Sequence, residues 1–211
     1  MVKSGEDGGQ IYTIEAITSA LLLLSVLIIV VQATSITPLT VSFTNEHVKL
    51  ELQNMGADML TSLDETPYSA VYTSDPAVPS CLKKSITDWI NITGGGSDWF
   101  AWSNSTSKYV SLLNASNPSI NSLPLANTLS MLIKTYGIAY NVEVRYSDIN
   151  GNIYNTKMIW NGDPSENSVT VSRVVALHDS DILQDSCVIP DVSPGTKFYN
   201  MVEVRLTMWV M

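Results

Sequence analysis

Between Ala16 and Asn45 the chain carries no charged residue, and Ile17–Ala33 inside that stretch is almost continuously aliphatic. This run limits what the chain can be, because a helix that is apolar on every side has no face to offer water. Crossing a bilayer takes ~20 mostly apolar residues, and Ile11, Ile14 and Ala16 extend the run to that span. A buried core helix and a cleaved secretory signal are the two rivals. Val31-Gln-Ala33 could serve a signal peptidase as a small-x-small site. However, ordinary signals have an apolar region of only ~7–15 residues behind a basic flank, and here Lys3 is followed by Glu6 and Asp7. A membrane helix is therefore expected.

Composition narrows the rest. With 45% hydrophobic residues and two cysteines in 211 positions, the chain is neither disordered nor a disulfide-built miniprotein. Eleven basic against 20 acidic residues give a net charge of −9, which argues against a phosphate-binding surface, so no nucleic-acid partner is expected. Lys3 before the span and Lys49 after it leave the basic-residue rule for orientation tied. Three acceptor sequons for N-glycosylation, at Asn91, Asn104 and Asn114, favour an extracytoplasmic placement of the chain beyond the span; Pro118 disqualifies a fourth at Asn117.

The residues Gly8-Gly9-Gln10-Ile-Tyr-Thr-Ile-Glu15-Ala, leading into the aliphatic run, resemble the class III signal of archaeal type IV pilin-like proteins. The resemblance covers about residues 8–35. It implies a prepilin peptidase cutting between Gly9 and Gln10, with the apolar segment kept on the mature protein. It also implies that Glu15 pairs with the terminal amine of a neighbouring subunit. Physics makes that pairing reasonable, since a buried carboxylate stays ionised only beside an opposite charge.

Downstream, Pro38 is expected to interrupt or kink the helix, with Thr44 capping a new start and Glu46 in its first turn. Val48, Leu52, Met55, Met59 and Leu63 recur at helical spacing and form an apolar stripe. Three prolines make Thr66–Ser80 an irregular connection, and Ser80–Ile92 reads as a short amphipathic helix. A polar loop region extends to about Asn121, and a further helix opens at Pro124 and runs to Gly137. The period then changes to two. Ile138–Ser147 and Ile153–Trp160 read as a hairpin around Asn150-Gly151, with Ser168–Leu177 and Met201–Val210 as further strands. In the last of these, Val202, Val204, Leu206, Met208 and Val210 are expected to point inward.

Helices first and antiparallel strands later predict an α+β domain. The expected organisation is a leader at 1–9, a transmembrane or filament-core helix at 10–35, a helical stalk at 36–65 and an extracytoplasmic domain at 66–211.

Chemical motifs are sparse. Cys81 and Cys187 read either as a disulfide, which an extracytoplasmic domain would allow, or as two buried free thiols. Asp148-Ile-Asn-Gly-Asn152 partly matches an oxygen-ligand calcium loop, but Ile153 and Ile159 hold the positions that need glycine and glutamate. A hairpin turn explains those residues with less. Asp179, Asp181 and Asp185 read as a solvated loop, and His47 and His178 are too far apart for a recognisable metal spacing. There is no Gly-x-Ser-x-Gly elbow, and Gly94–Ser97 lacks the lysine of a phosphate cradle. No catalytic residue, cofactor or metal is expected. In Asp98-Trp-Phe-Ala-Trp102, Trp99 and Trp102 either stack on a sugar or other surface partner, or cover the domain's own core, the latter being favoured.

The chain is thus expected to be a non-enzymatic, single-pass membrane protein. By resemblance its partners would be lipid, a prepilin peptidase, and itself or other pilin-like subunits. The alternative is a singly anchored binding domain that does not polymerise.

Overall fold

The computed structural model describes the backbone of residues 7–69, 78–96, 98–113, 120–183 and 187–211; within helix α1, side chains are described outside 7–11 and 33–45. Residues 1–48 and 49–211 form two units, each compact on its own.

Helix α1 is assigned over Asp7–Glu65. The expected break at Pro38 and the fresh start at Thr44 are not found, because the backbone is helical through both. The proline removes one donor and crowds the carbonyl of Thr34, a local cost of ~3 kcal/mol. Once a helix is nucleated, each added residue gains a bond, so turns on either side of one such defect can persist.

In the second unit, the last turns of α1 are joined by α2 (Cys81–Thr93) and α3 (Pro124–Met131). Ser80 caps α2, its hydroxyl accepting the Lys83 amide at 3.1 Å, and Gly94 closes the helix in the left-handed conformation at φ 70°. Pro124 occupies the first turn of α3, where a missing amide costs nothing. The segment expected to be helical up to Gly137 ends in a wider turn, Leu132–Tyr136.

Six strands form one sheet: β1 (Phe100–Ser103), β2 (Lys108–Ser111), β3 (Ile138–Ser147), β4 (Ile153–Trp160), β5 (Val169–His178) and β6 (Phe198–Val210). Their order is β2-β1-β4-β3-β6-β5. The sheet is mixed, whereas an antiparallel one was expected: β1 meets β4 in parallel through the pair Phe100 and Ile159. The β1–β2 hairpin also replaces part of the expected polar loop. At the β3–β4 turn, Asp148 accepts the amides of Asn150 and Asn152 at 2.8 Å and the Asn152 side-chain amide at 2.8 Å. Those bonds hold its carboxyl below the usual range, the Asn152 side chain foremost. Gly151 lies within the same turn at φ 80°. A turn accounts for the bonds that the Asp148 carboxylate accepts.

The core lies on one sheet face. Tyr140, Val142, Val144 and Tyr146 of β3 and Val202, Val204, Leu206 and Met208 of β6 are buried there with Leu52, Leu60 and Leu63 of α1. Leu82, Ile86, Trp89 and Ile90 of α2, and Leu125 and Leu129 of α3, complete the cluster. Val210, expected inward, is 53% exposed, because β5 pairs along β6 only as far as Met208. The close approach of α1 to the sheet depends on Gly56. A Cβ there would overlap the Met208 Cε and lie 2.8 Å from the Val171 Cγ2. Asp64 then accepts a 2.8 Å bond from Arg173 of β5, fastening the end of α1 to the sheet edge.

Candidate functional site

Within α1, Tyr12–Gln32 is a 21-residue segment long and apolar enough to cross a membrane. At 1.5 Å per residue it spans ~30 Å, the thickness of a hydrocarbon core. None of it is buried. Leu21, Leu22, Leu23 and Leu24 are 58–72% exposed, which on four consecutive helical positions means exposure on every side. Two hydroxyls in the run are bonded back to the helix: Thr18 donates to the Ile14 carbonyl at 3.0 Å and Ser25 to Leu21 at 2.8 Å. Such bonds satisfy those polar groups within the helix itself.

Glu15 is exposed near the start of this segment. Gly9 and Gln10 are helical near the described beginning of α1.

In the second unit the structure separates residues that the sequence seemed to group. Cys81 and Cys187 are free thiols, so the disulfide reading is corrected. Cys81 opens α2, whereas Cys187 is beside Gly95, just past the other end, where the Val188 amide bonds the Gly94 carbonyl at 2.8 Å. A helix of this length holds its two ends roughly 18 Å apart, while a disulfide needs Cα atoms within ~7 Å. Burial pushes both thiols up from their ordinary range. That shift keeps them protonated, the opposite of what a nucleophile requires. Burial also raises Tyr199, to about 12, helped by its contact with Cys187.

The sequons differ in the same way. Asn91 is half-buried on α2, donating to the Asp181 carbonyl at 3.1 Å and accepting the Leu183 amide at 2.9 Å. Thr93, whose hydroxyl completes that sequon, is buried and bonded to the Trp89 carbonyl. Asn91 thus acts as a clamp for the 181–183 segment. Asn104 is exposed in the β1–β2 turn and accepts the Trp102 indole N–H at 2.9 Å. Asn114 lies outside the described residues, as does Asp185.

Trp99 and Trp102 face opposite ways, as residues three apart in extended chain must. Trp102 packs on the core with its ring edge against Tyr109, centroids 5.2 Å apart. Trp99 is half-buried on the other face, 5.6 Å from the Lys157 ammonium, which also lies 3.8 Å from the Trp160 ring. Lys157 pairs in register with Glu143, and Arg145 meets Glu203 at 3.6 Å. This face is therefore a mixed-charge surface with an aromatic and cationic corner. Proximity along the chain put both indoles in one cluster and gave no sign of Lys157 and Trp160. Three-residue spacing in a strand was the signal available.

The adjacent Asp98 is buried, accepting the Ser111 hydroxyl and the Leu113 amide at 2.5 and 3.0 Å. It ties the two ends of the β1–β2 hairpin together. A cleft of about 670 Å³ is lined by Thr66, Tyr68, Cys81, Pro124 and Asn127 among others. Lys83 bonds Asp181 at 2.8 Å and His178 Nδ1 at 2.9 Å. Among the described residues, no group of three or more His, Cys, Asp or Glu side chains is placed to hold a metal ion.

No curated protein and no solved structure matches the chain. A match does extend from residue 8 to residue 208, through the apolar helix and nearly all of the sheet, and by it the chain belongs to the family of unknown function DUF7288.

Proposed function

We propose that this is a membrane-anchored, pilin-like surface protein with a structural or interaction role, a filament subunit or minor pilin, its head domain extracytoplasmic. The observation that carries the reading is Tyr12–Gln32, an apolar helix with no buried residue on a chain whose other unit has a complete core of its own. Such a helix needs lipid or other helices around it. Ser19-Ala20 and Ser25 provide small residues at which neighbouring helices approach closely. The family match supports treating helix and head as one inherited unit, because it begins at residue 8 and runs through both.

In this reading a prepilin peptidase cuts between Gly9 and Gln10. The new Gln10 amine pairs with Glu15 of a neighbouring subunit, offsetting the cost of a carboxylate in apolar surroundings. Trp99, Lys157 and Trp160 favour a second reading, a singly anchored domain whose open sheet face binds a partner without polymerising.

Membrane fractionation with electron microscopy separates the two. The first predicts filaments or higher oligomers that Glu15→Ala abolishes while membrane retention persists. A uniform membrane monomer, unchanged by Glu15→Ala, would favour the second. Recovery of the intact chain in the aqueous fraction would overturn both.

A further inference from the structure

The chain enters the head at one particular end of the sheet. Gly56 of α1 lies against Met208, and eight residues later Asp64 bonds Arg173, whose partner on β6 is Val204. Eight helical residues rise ~12 Å and four strand residues ~13 Å, so α1 runs antiparallel to β6 and in step with it. Lys49, seven residues before Gly56, then stands ~10 Å further along, level with Met211. At that end Ile138 pairs with Val210, and the Met211 amide bonds the Gly137 carbonyl. Asn45, the last residue of the charge-free run, is only four positions before Lys49. Four residues reach at most ~14 Å in any conformation.

Apolar side chains are exposed at this same end. Met131 at the close of α3, Tyr136 of the wide turn, Val210 and Met211 are 53–71% exposed. Charge is unevenly distributed around them. Neither Tyr109–Val142 nor Val204–Met211 contains an acidic residue, on a chain that has 20. The charges in those segments are Arg205 and Lys134, the latter exposed two positions from Tyr136. On α1, Lys49 and Glu51 add one charge of each sign. Asp163 and Glu166 belong to the β4–β5 connection, which Asn141 ties to the open face by its bond to the Gly162 carbonyl. Met131 and Tyr136 belong to the helical layer instead. At the opposite end Ile149 and Ile153 are also exposed, but they flank Asp148.

We propose that the Lys49 end of the head rests in the bilayer surface, with Met131, Tyr136, Val210 and Met211 entering the boundary between headgroups and acyl chains. Lipid is the occupant because the charge-free run ends one short tether from the patch. The patch chemistry agrees: apolar side chains with a lysine and no carboxylate between them suit an apolar boundary lined with phosphate, and tyrosine is enriched at such boundaries. The inference rests on the membrane-anchored reading of Tyr12–Gln32 and does not depend on processing at Gly9.

Added indoles in the full chain test it, after reconstitution into phosphatidylcholine vesicles carrying bromine at shallow or deep acyl positions. The chain's own five tryptophans all lie beyond residue 48, so each variant is read as a difference from wild type. Leu22→Trp should add emission that deep bromine quenches, and Tyr136→Trp emission that shallow bromine quenches. Ile149→Trp should add emission that neither quenches. Met131→Glu combined with Tyr136→Trp should restore most of the quenched emission without lowering the melting temperature, because residue 131 is exposed. If Tyr136→Trp behaves as Ile149→Trp while Leu22→Trp is quenched, the contact is overturned and the anchor stands. An unquenched Leu22→Trp overturns the anchored reading and this contact with it. A blue-shifted but unquenched indole at 136 means that protein, such as a second copy, covers the patch, and overturns lipid as its occupant.

Discussion

Gly56→Ala tests how α1 meets the sheet. In an open helix interior the change would stabilise by about 1 kcal/mol, because alanine loses less backbone entropy than glycine. Here the new methyl overlaps the Met208 Cε and approaches the Val171 Cγ2 to 2.8 Å. Met208 is fully buried, so its terminal methyl cannot swing into solvent, and Val171 is stiff at χ1. Overpacking of this kind costs ~1–3 kcal/mol. After the propensity gain is offset, Gly56→Ala should destabilise by about 1 kcal/mol, lowering the melting temperature by about 2–4 °C for a head of this size. Met208→Leu removes the clashing arm at nearly constant volume and alone should cost under ~1.5 kcal/mol. Combined with Gly56→Ala it should cost about 1 kcal/mol less than the sum of the two, because the overlap is gone. Denaturation of the full chain in detergent, monitored by tryptophan fluorescence, completes the cycle. A stabilising Gly56→Ala with an additive cycle would refute the seating of α1 on the sheet.

The buried tyrosines and the indoles give further outcomes. Tyr109 donates to the Ala126 carbonyl at 2.9 Å, so Tyr140 must donate to the Tyr109 hydroxyl. Tyr109→Phe therefore strands a buried donor and should cost ~1–3 kcal/mol, against ~0.5–1.5 for Tyr140→Phe, as read by denaturant midpoints. Burial raises Tyr109 and Tyr140, and raises Tyr199 to about 12. The unfolded chain ionises its tyrosines near pH 10 while the folded chain keeps them neutral. Their contribution is whole below that pH and is lost as pH rises through the folded values. Stability should fall above about pH 10, less steeply in Tyr140→Phe, when alkaline melts of the two chains are compared. Trp102→Ala should cost several-fold more stability than Trp99→Ala, since only Trp102 packs on the core; equal losses in thermal melts would contradict the opposite facing of the two indoles.

The elements most legible in the sequence were those whose signal is local. Alternation in Ile138–Ser147 and Ile153–Trp160 with Asn150-Gly151 between them gave both strands with their boundaries, and the aliphatic run gave the membrane-length helix. The β1–β2 hairpin was hidden because four-residue strands of Ser, Lys, Ala, Val and aromatics carry no readable period. The parallel contact of Phe100 with Ile159 depends on a partner 59 positions away, which no window can contain. The cysteines stayed open between a disulfide and two free thiols for a related reason. Distance along the chain does not say that one opens α2 and the other borders its end. Gly56 carries no signal of its own in the sequence, and only the sheet beneath it explains the residue.

The central claim is that the apolar helix stays on the mature protein after a short leader is removed. Intact mass and N-terminal sequencing of the chain extracted from membranes test it most directly. The mature protein should begin at Gln10 and keep residues 10–33. A protein beginning at Thr34, with the helix discarded as a signal, would contradict the claim, and so would one that retains Met1.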